Sequence, residues 1–175
     1  MPCAKITLLC TFSYLNDAVK ITLLLVGATD KKYLGEGIED YRKRLTHYLP
    51  FEMKVIADVK NSRNLPEEQQ KEKEGKAILD QVSTGDELVL LDVEGAELSS
   101  PGLAAWIGKR MLAGTRQVVF VVGGPYGFSE AVYKRADSKI SLSKLTFPHQ
   151  LVRLLFVEQL YRAMTIIRGE PYHHA

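Results

Sequence analysis

The chain has two cysteines, Cys3 and Cys10, both within its first ten residues. The remainder therefore holds neither a disulfide framework nor a thiolate metal site, and a reducing cytoplasm is expected. Apolar runs are short as well: none approaches the ~20 residues of a membrane span, so no membrane partner is expected. Charge of one sign is scarce. The 23 Lys and Arg stand against 21 Asp and Glu, a formal net charge of +2, so any nucleic-acid binding has to rest on local clusters. No Gly-Lys-Ser/Thr phosphate loop is present, which removes the usual triphosphate cradle. What is there, 46% hydrophobic and 25% charged over 175 residues, suits one globular domain.

The stretch that organises the chain is Val118-Val119-Phe120-Val121-Val122 running into Gly123-Gly124-Pro125-Tyr126-Gly127. Five apolar, mostly β-branched residues ending in a glycine turn read as a buried parallel strand. Missing Cβ atoms let a flat ligand approach the peptide groups, and ligands of open α/β sheets collect at the carboxyl ends of strands. A tight turn without a ligand is the plainer reading of these residues taken alone. Ser129 then stands where a capping hydroxyl would start a helix.

The sequence Lys5-Ile6-Thr7-Leu8-Leu9 recurs letter for letter as Lys20-Ile21-Thr22-Leu23-Leu24. Only the second copy leads into a turn and a helix, so residues 1–18 are expected to be an extension and 19–175 the working domain. Leu34, Ile38, Tyr41, Leu45 and Tyr48 step by three and four, predicting an amphipathic helix over 33–48, and 51–57 alternates as a strand. A polar loop over 61–66 precedes a charged, outward-lying helix from 67 to about 82. A strand over 87–92, a turn at 92–95 and a helix opened by Ser99-Ser100-Pro101 follow. After the central strand and a short helix, 139–145 alternates as a fifth strand. The last helix, 149–168, is apolar on more than one side, so it either fills the core or seals a subunit interface, and a homodimer interface is expected. Strands and helices alternate, which gives the α/β class with a mostly parallel sheet flanked by helices.

If the strands ending near 91, 122 and 142 are neighbours, their exits form one cleft. Its walls, Leu91, Leu142, Leu145 and Phe147, with few charged side chains, suit an adenine ring and a thioether-like tail. Basic residues available for phosphate are Lys31, Lys32, Arg42, Lys43, Arg44, Lys134 and Arg135; a solvated face is the plainer account of them.

Taken together and in order, Gly123-Gly124-Pro125-Tyr126-Gly127, Leu142-Ser143-Lys144-Leu145-Thr146-Phe147-Pro148-His149, Arg153, Glu158-Gln159-Leu160-Tyr161-Arg162-Ala163 and Pro171-Tyr172-His173 resemble the ribosomal RNA large subunit methyltransferase H family of the SPOUT superfamily. The resemblance runs from about 19 to 174. It implies methyl transfer from S-adenosylmethionine to N3 of a pseudouridine in 23S ribosomal RNA within the assembled ribosome, a homodimer, and a C-terminal trefoil knot. It also implies cofactor contacts at Leu91, Gly123, Leu142, Ser143, Lys144, Leu145, Thr146 and Phe147. Such a transfer needs no metal; it needs alignment and a route for the N3 proton. Arg153, Arg162, Tyr172 and His173 are the catalytic candidates, with His149 beside them. An ion pair, for instance with Glu158, is the structural alternative for either arginine. The competing class is a non-enzymatic nucleotide- or RNA-binding factor associated with the ribosome and using the same cleft.

Overall fold

The computed structural model describes residues 19–57 and 65–173. The extension over 1–18, most of the loop expected at 61–66, and His174 lie outside the described residues. Five strands and five helices alternate: β1 Lys20–Val26, α1 Lys32–Leu45, β2 Phe51–Ile56, α2 Glu67–Leu79, β3 Glu87–Glu97, α3 Ser100–Leu112, β4 Gln117–Val122, α4 Glu130–Arg135, β5 Ser138–Ser141 and α5 His149–Arg168. The strands form one sheet in the order β2-β1-β4-β3-β5, with every pair parallel.

The central strands are apolar on both sides, and the period-2 alternation of strand side chains divides them between two cores. Ile21, Leu23 and Leu25 of β1, Val89 of β3 and Val118, Phe120 and Val122 of β4 meet Leu45, Leu103, Ile107, Phe156, Val157 and Leu160 from α1, α3 and α5. Leu24, Val26, Leu88, Leu90, Val119 and Val121 point the other way, onto Ile78, Phe128 and Val132. Phe120 anchors the larger core, its ring centroid 4.6 Å from that of Phe156 and 5.7 Å from that of Trp106. α5 lies in the trough between α1 and α3. Most of its apolar excess therefore faces this chain's own core, with Phe156, Val157, Leu160, Ala163 and Met164 fully buried.

Several expectations need correction. β3 does not turn at Asp92; it continues to Glu97 through a register shift against β5 between Leu91 and Ala96. β5 stops at Ser141, well short of 145. Ser141 Oγ donates to the Ser143 carbonyl at 2.9 Å and Ser143 Oγ accepts from the Leu145 amide at 3.0 Å, so local serine bonds draw the chain out of the ladder. Ser129 occupies the N-cap position of α4 but makes no side-chain capping bond. α2 ends at Leu79 and is less outward than its charges suggest, with Gln70, Glu74, Gly75 and Ile78 buried. Ser99, by contrast, caps α3 as expected, accepting from the Gly102 amide at 3.1 Å.

Candidate functional site

Because β4, β3 and β5 are neighbours, their carboxyl ends open into one cavity of about 420 Å3. Leu91 to Glu94, Val122 to Gly124, Gly127, Phe128, Tyr133, Ser141 to Ser143, Leu145 to Phe147, His149 and Val152 line it. The cleft inferred from the three strand exits is thus present. Gly123 lies beneath the Phe128 ring, and a Cβ there would come within 3.0 Å of it. Gly127 takes a φ of 81°, in the left-handed region, which lets the loop fold back until its amide bonds the Gly124 carbonyl at 3.2 Å.

Of the residues expected to contact a cofactor, Leu91, Gly123, Leu142, Ser143, Leu145, Thr146 and Phe147 line the cavity. Lys144 does not; its Nζ reaches back across the rim to the Val93 carbonyl at 3.3 Å. Size, apolar walls and a glycine edge fit an adenosyl group with a sulfur-bearing chain, which Leu91, the 123–127 loop and the 142–147 loop would hold. Sequence reasoning missed the Tyr133–Asp92 pair on the wall, where the phenol donates to Asp92 Oδ2 at 2.6 Å and Asp92 Oδ1 accepts from the Glu94 amide at 2.8 Å. The pair joins α4 to β3, elements whose contact only the sheet order reveals. Burial and then the Asp92 bond push the Tyr133 phenol up to about 12.

The catalytic candidates do not share one place. Arg153 is fully buried, donating to the Val26 carbonyl at 2.7 Å and to Thr29 Oγ1 at 2.8 Å, which ties α5 to the end of β1. Arg162 pairs with Glu158 at 2.5 Å, the ion-pair alternative in an i,i+4 spacing, and lies 4.8 Å from the Tyr172 ring centroid. Tyr172 OH stands 3.2 Å from both Tyr41 OH and Glu158 Oε1, and its ring meets Tyr161 edge-on at 4.8 Å. Burial, with Tyr41 and Glu158 beside it, raises the Tyr172 phenol above its ordinary value. His173 Nδ1 is buried without a hydrogen-bond partner among the described residues. Arg162 follows the cavity-lining Val152 by ten residues, about 15 Å of helical rise, so this cluster and the cavity occupy opposite halves of α5.

The basic residues considered for phosphate are largely paired within the chain: Lys32 with Glu36, Arg42 with Glu39, Arg44 with Asp40, Lys134 with Glu130 and Arg135 with Asp137. Exposed pairs of this kind contribute little to stability. Among the described residues no group of His, Cys, Asp and Glu is arranged to hold a metal ion, and no helix is long and apolar enough to cross a membrane.

Comparison with known proteins agrees with this geometry. A family model described as "Predicted SPOUT methyltransferase" matches residues 19–173. A Parabacteroides distasonis protein named "Ribosomal RNA large subunit methyltransferase H" is 58% identical over 156 residues, 89% of this chain and 99% of its own. Proteins of the same name from Christiangramia forsetii and Bacteroides fragilis are 57% and 49% identical, over 88% and 89% of this chain and 98% and 99% of their own. With a parallel sheet, a glycine-edged cavity at its carboxyl end and a match that spans all the described residues, the protein belongs to the SPOUT methyltransferase family.

Proposed function

We propose that this protein is an S-adenosylmethionine-dependent methyltransferase of large-subunit ribosomal RNA, acting in the cytoplasm as a homodimer on N3 of a pseudouridine in the assembled ribosome. The observation that carries the reading is the cavity where the 123–127 and 142–147 loops face each other across Leu91. The relatives' shared name supports the RNA class. When bound, S-adenosylmethionine supplies a methyl group on a sulfonium. The chain's own residues would bind and orient it: Leu91, Leu142, Leu145 and Phe147 would wall it from water, and Gly123 and Gly124 would offer it backbone groups from the cavity wall.

The proton on N3 has to leave, and the four candidates divide by what they already do. Arg153 is committed to the end of β1. Tyr172, with its phenol held protonated, donates a hydrogen bond and takes no proton at neutral pH. Arg162, balanced by Glu158, steers a carbonyl or a phosphate. His173 brings an imidazole, the side-chain type suited to receiving the N3 proton, to the end of the same tail. Since this cluster lies far along α5 from the cavity, the reading joins the two by a second copy that presents its tail to the first copy's cavity. The trefoil knot belongs to the same reading. β5 sits at a sheet edge beside β3, and the chain returns from it to seat α5 between α1 and α3, a passage that threading would lock. The domain is taken to be 19–175, so removal of 1–18 leaves folding and activity intact.

The test is calorimetric titration with S-adenosylmethionine, followed by methyl incorporation into ribosomes and into free ribosomal RNA. Parent protein binds, Gly123→Trp does not, and ribosomes are methylated well ahead of free RNA. Binding to ribosomes without methyl incorporation would return the protein to the class of non-enzymatic factors.

A further inference from the structure

The sequence of α2 is strongly charged, yet it turns two polar side chains inward: Gln70 is 7% exposed and Glu74 5%. Gln70 Nε2 donates to Glu74 Oε1 at 2.7 Å. The Glu74 carboxylate occupies the space left by the absent side chain of Gly124, where a Cβ would overlap Oε2 and stand 3.0 Å from Cδ. One residue along, the fit reverses. The Ser129 side chain occupies the space left by Gly75, where a Cβ would overlap Oγ and come within 2.9 Å of the Ser129 Cβ. Two adjacent residues of one helix thus hold both ends of the segment 124–129. Gly124 lines the cavity and Glu74 does not, so the carboxylate presses on the loop from behind.

Desolvating a carboxylate is costly, and an apolar side chain would pack here without that cost. Here the carboxylate, braced by Gln70, packs against the backbone of the loop that the ligand must approach. We infer that Glu74 is a positioning residue for the cofactor loop: it fixes Gly124, and through it the backbone of 123–127, in the conformation that receives S-adenosylmethionine. This rests on reading the cavity as the cofactor site. Glu74 is not among the cavity-lining residues and reaches the site through Gly124, so its loss acts on cofactor affinity ahead of the chemical step.

The experiment titrates S-adenosylmethionine calorimetrically into the full chain, with a thermal melt and steady-state kinetics on ribosomes for each variant. Glu74→Ala raises Kd and KM for the cofactor on the order of 10- to 100-fold, the scale of a misplaced binding element, and lowers kcat far less. Glu74→Gln, nearly the same shape without the charge, lies between parent and Glu74→Ala. Gly124→Ala weakens binding in the parent, where its methyl displaces the carboxylate, and the double variant Glu74→Ala with Gly124→Ala recovers part of it. Cofactor affinity in folded Glu74→Ala equal to the parent's overturns the inference, even if the melting temperature falls. Failure of the double variant to recover any binding overturns it too. Should Glu74→Ala not fold, Glu74→Gln decides, and parental affinity in that variant rejects the role. Absence of binding in the parent itself would instead reject the cavity as the cofactor site.

Discussion

Arg153 donates to a strand-end carbonyl and to Thr29 from a position with no exposed surface. Replacing it with Met keeps volume but leaves the Val26 carbonyl and the Thr29 hydroxyl without their charged donor. A cost of about 3 kcal/mol is expected, a fall of roughly 10 °C in melting temperature. Cofactor affinity of the still-folded Arg153→Met protein falls much less; a variant that melts like the parent but no longer turns over would restore Arg153 to the chemistry. Sequence alone could not separate Arg153 from Arg162, because a guanidinium near an acid reads alike in both; burial, not spacing, distinguishes them. The phenols make a second test. Burial first, and then the Asp92 bond, raise Tyr133 from 10.0 to about 12, and burial likewise raises Tyr48 and Tyr172. The folded state thus favours the neutral phenol, so this stabilisation is complete below about pH 10 and is lost as pH rises toward 12. Melting temperature falls across that alkaline window, and Tyr133→Phe flattens part of the fall; an unchanged slope in that variant counts against the pairing.

Among the elements, β3 and β5 departed most from their patterns. The alternation over 139–145 is genuine, but the serine hydroxyls of 141 and 143 bond the local backbone, and this competition decides where the strand ends. Past the register shift, β3 continues beside β5 because Gly95 lets the two backbones touch. A Cβ at 95 would lie 2.6 Å from both the nitrogen and the carbonyl carbon of Ile140. Backbone cannot swing aside as a side chain can, so Gly95→Ala pries the β5 edge away and carries the 142–147 loop with it. The expected cost is about 1–3 kcal/mol, the scale of overpacking, accompanied by weaker S-adenosylmethionine binding. A melt and a titration check both; full cofactor affinity in this variant would show that the loop is held by other contacts. The helices were more legible. α5 begins at His149 and ends at Arg168 as its pattern predicts, closed by Gly169 at a φ of 68°, because a stripe that long and apolar leaves little choice. The buried acid of α2 was not legible, since Glu74 sits in a run of Lys and Glu that reads as solvated.

Local periodicity identifies strands but says nothing of which strand lies beside which, so the order β2-β1-β4-β3-β5 could only be posed as a condition on the cleft. The condition holds for the cavity and leaves the C-terminal cluster apart from it. In one copy, Arg162 sits on the far half of α5 and Tyr172 and His173 follow its end, with Tyr172 tied to Tyr41 and Tyr161, while Val152 and His149 meet the cavity. If the working site is built from the cavity of one copy and the tail of another, two defects in different copies complement each other. Gly123→Trp removes the cavity, and a chain ending at residue 170 removes the tail; each alone is inactive on ribosomes. Mixed in equal amounts and allowed to exchange, about half of the dimers carry one of each. Every such dimer holds one site with both defects and one with neither, so activity returns to about a quarter of the parent's. Cofactor binding by the shortened chain stays near the parent's throughout. A mixture that remains inactive after subunit exchange has been demonstrated by sedimentation or mass measurement would mean that cavity and tail must belong to the same copy. The tail would then have to cross the length of α5 during turnover, breaking the Tyr172 contacts with Tyr41 and Glu158 as it went.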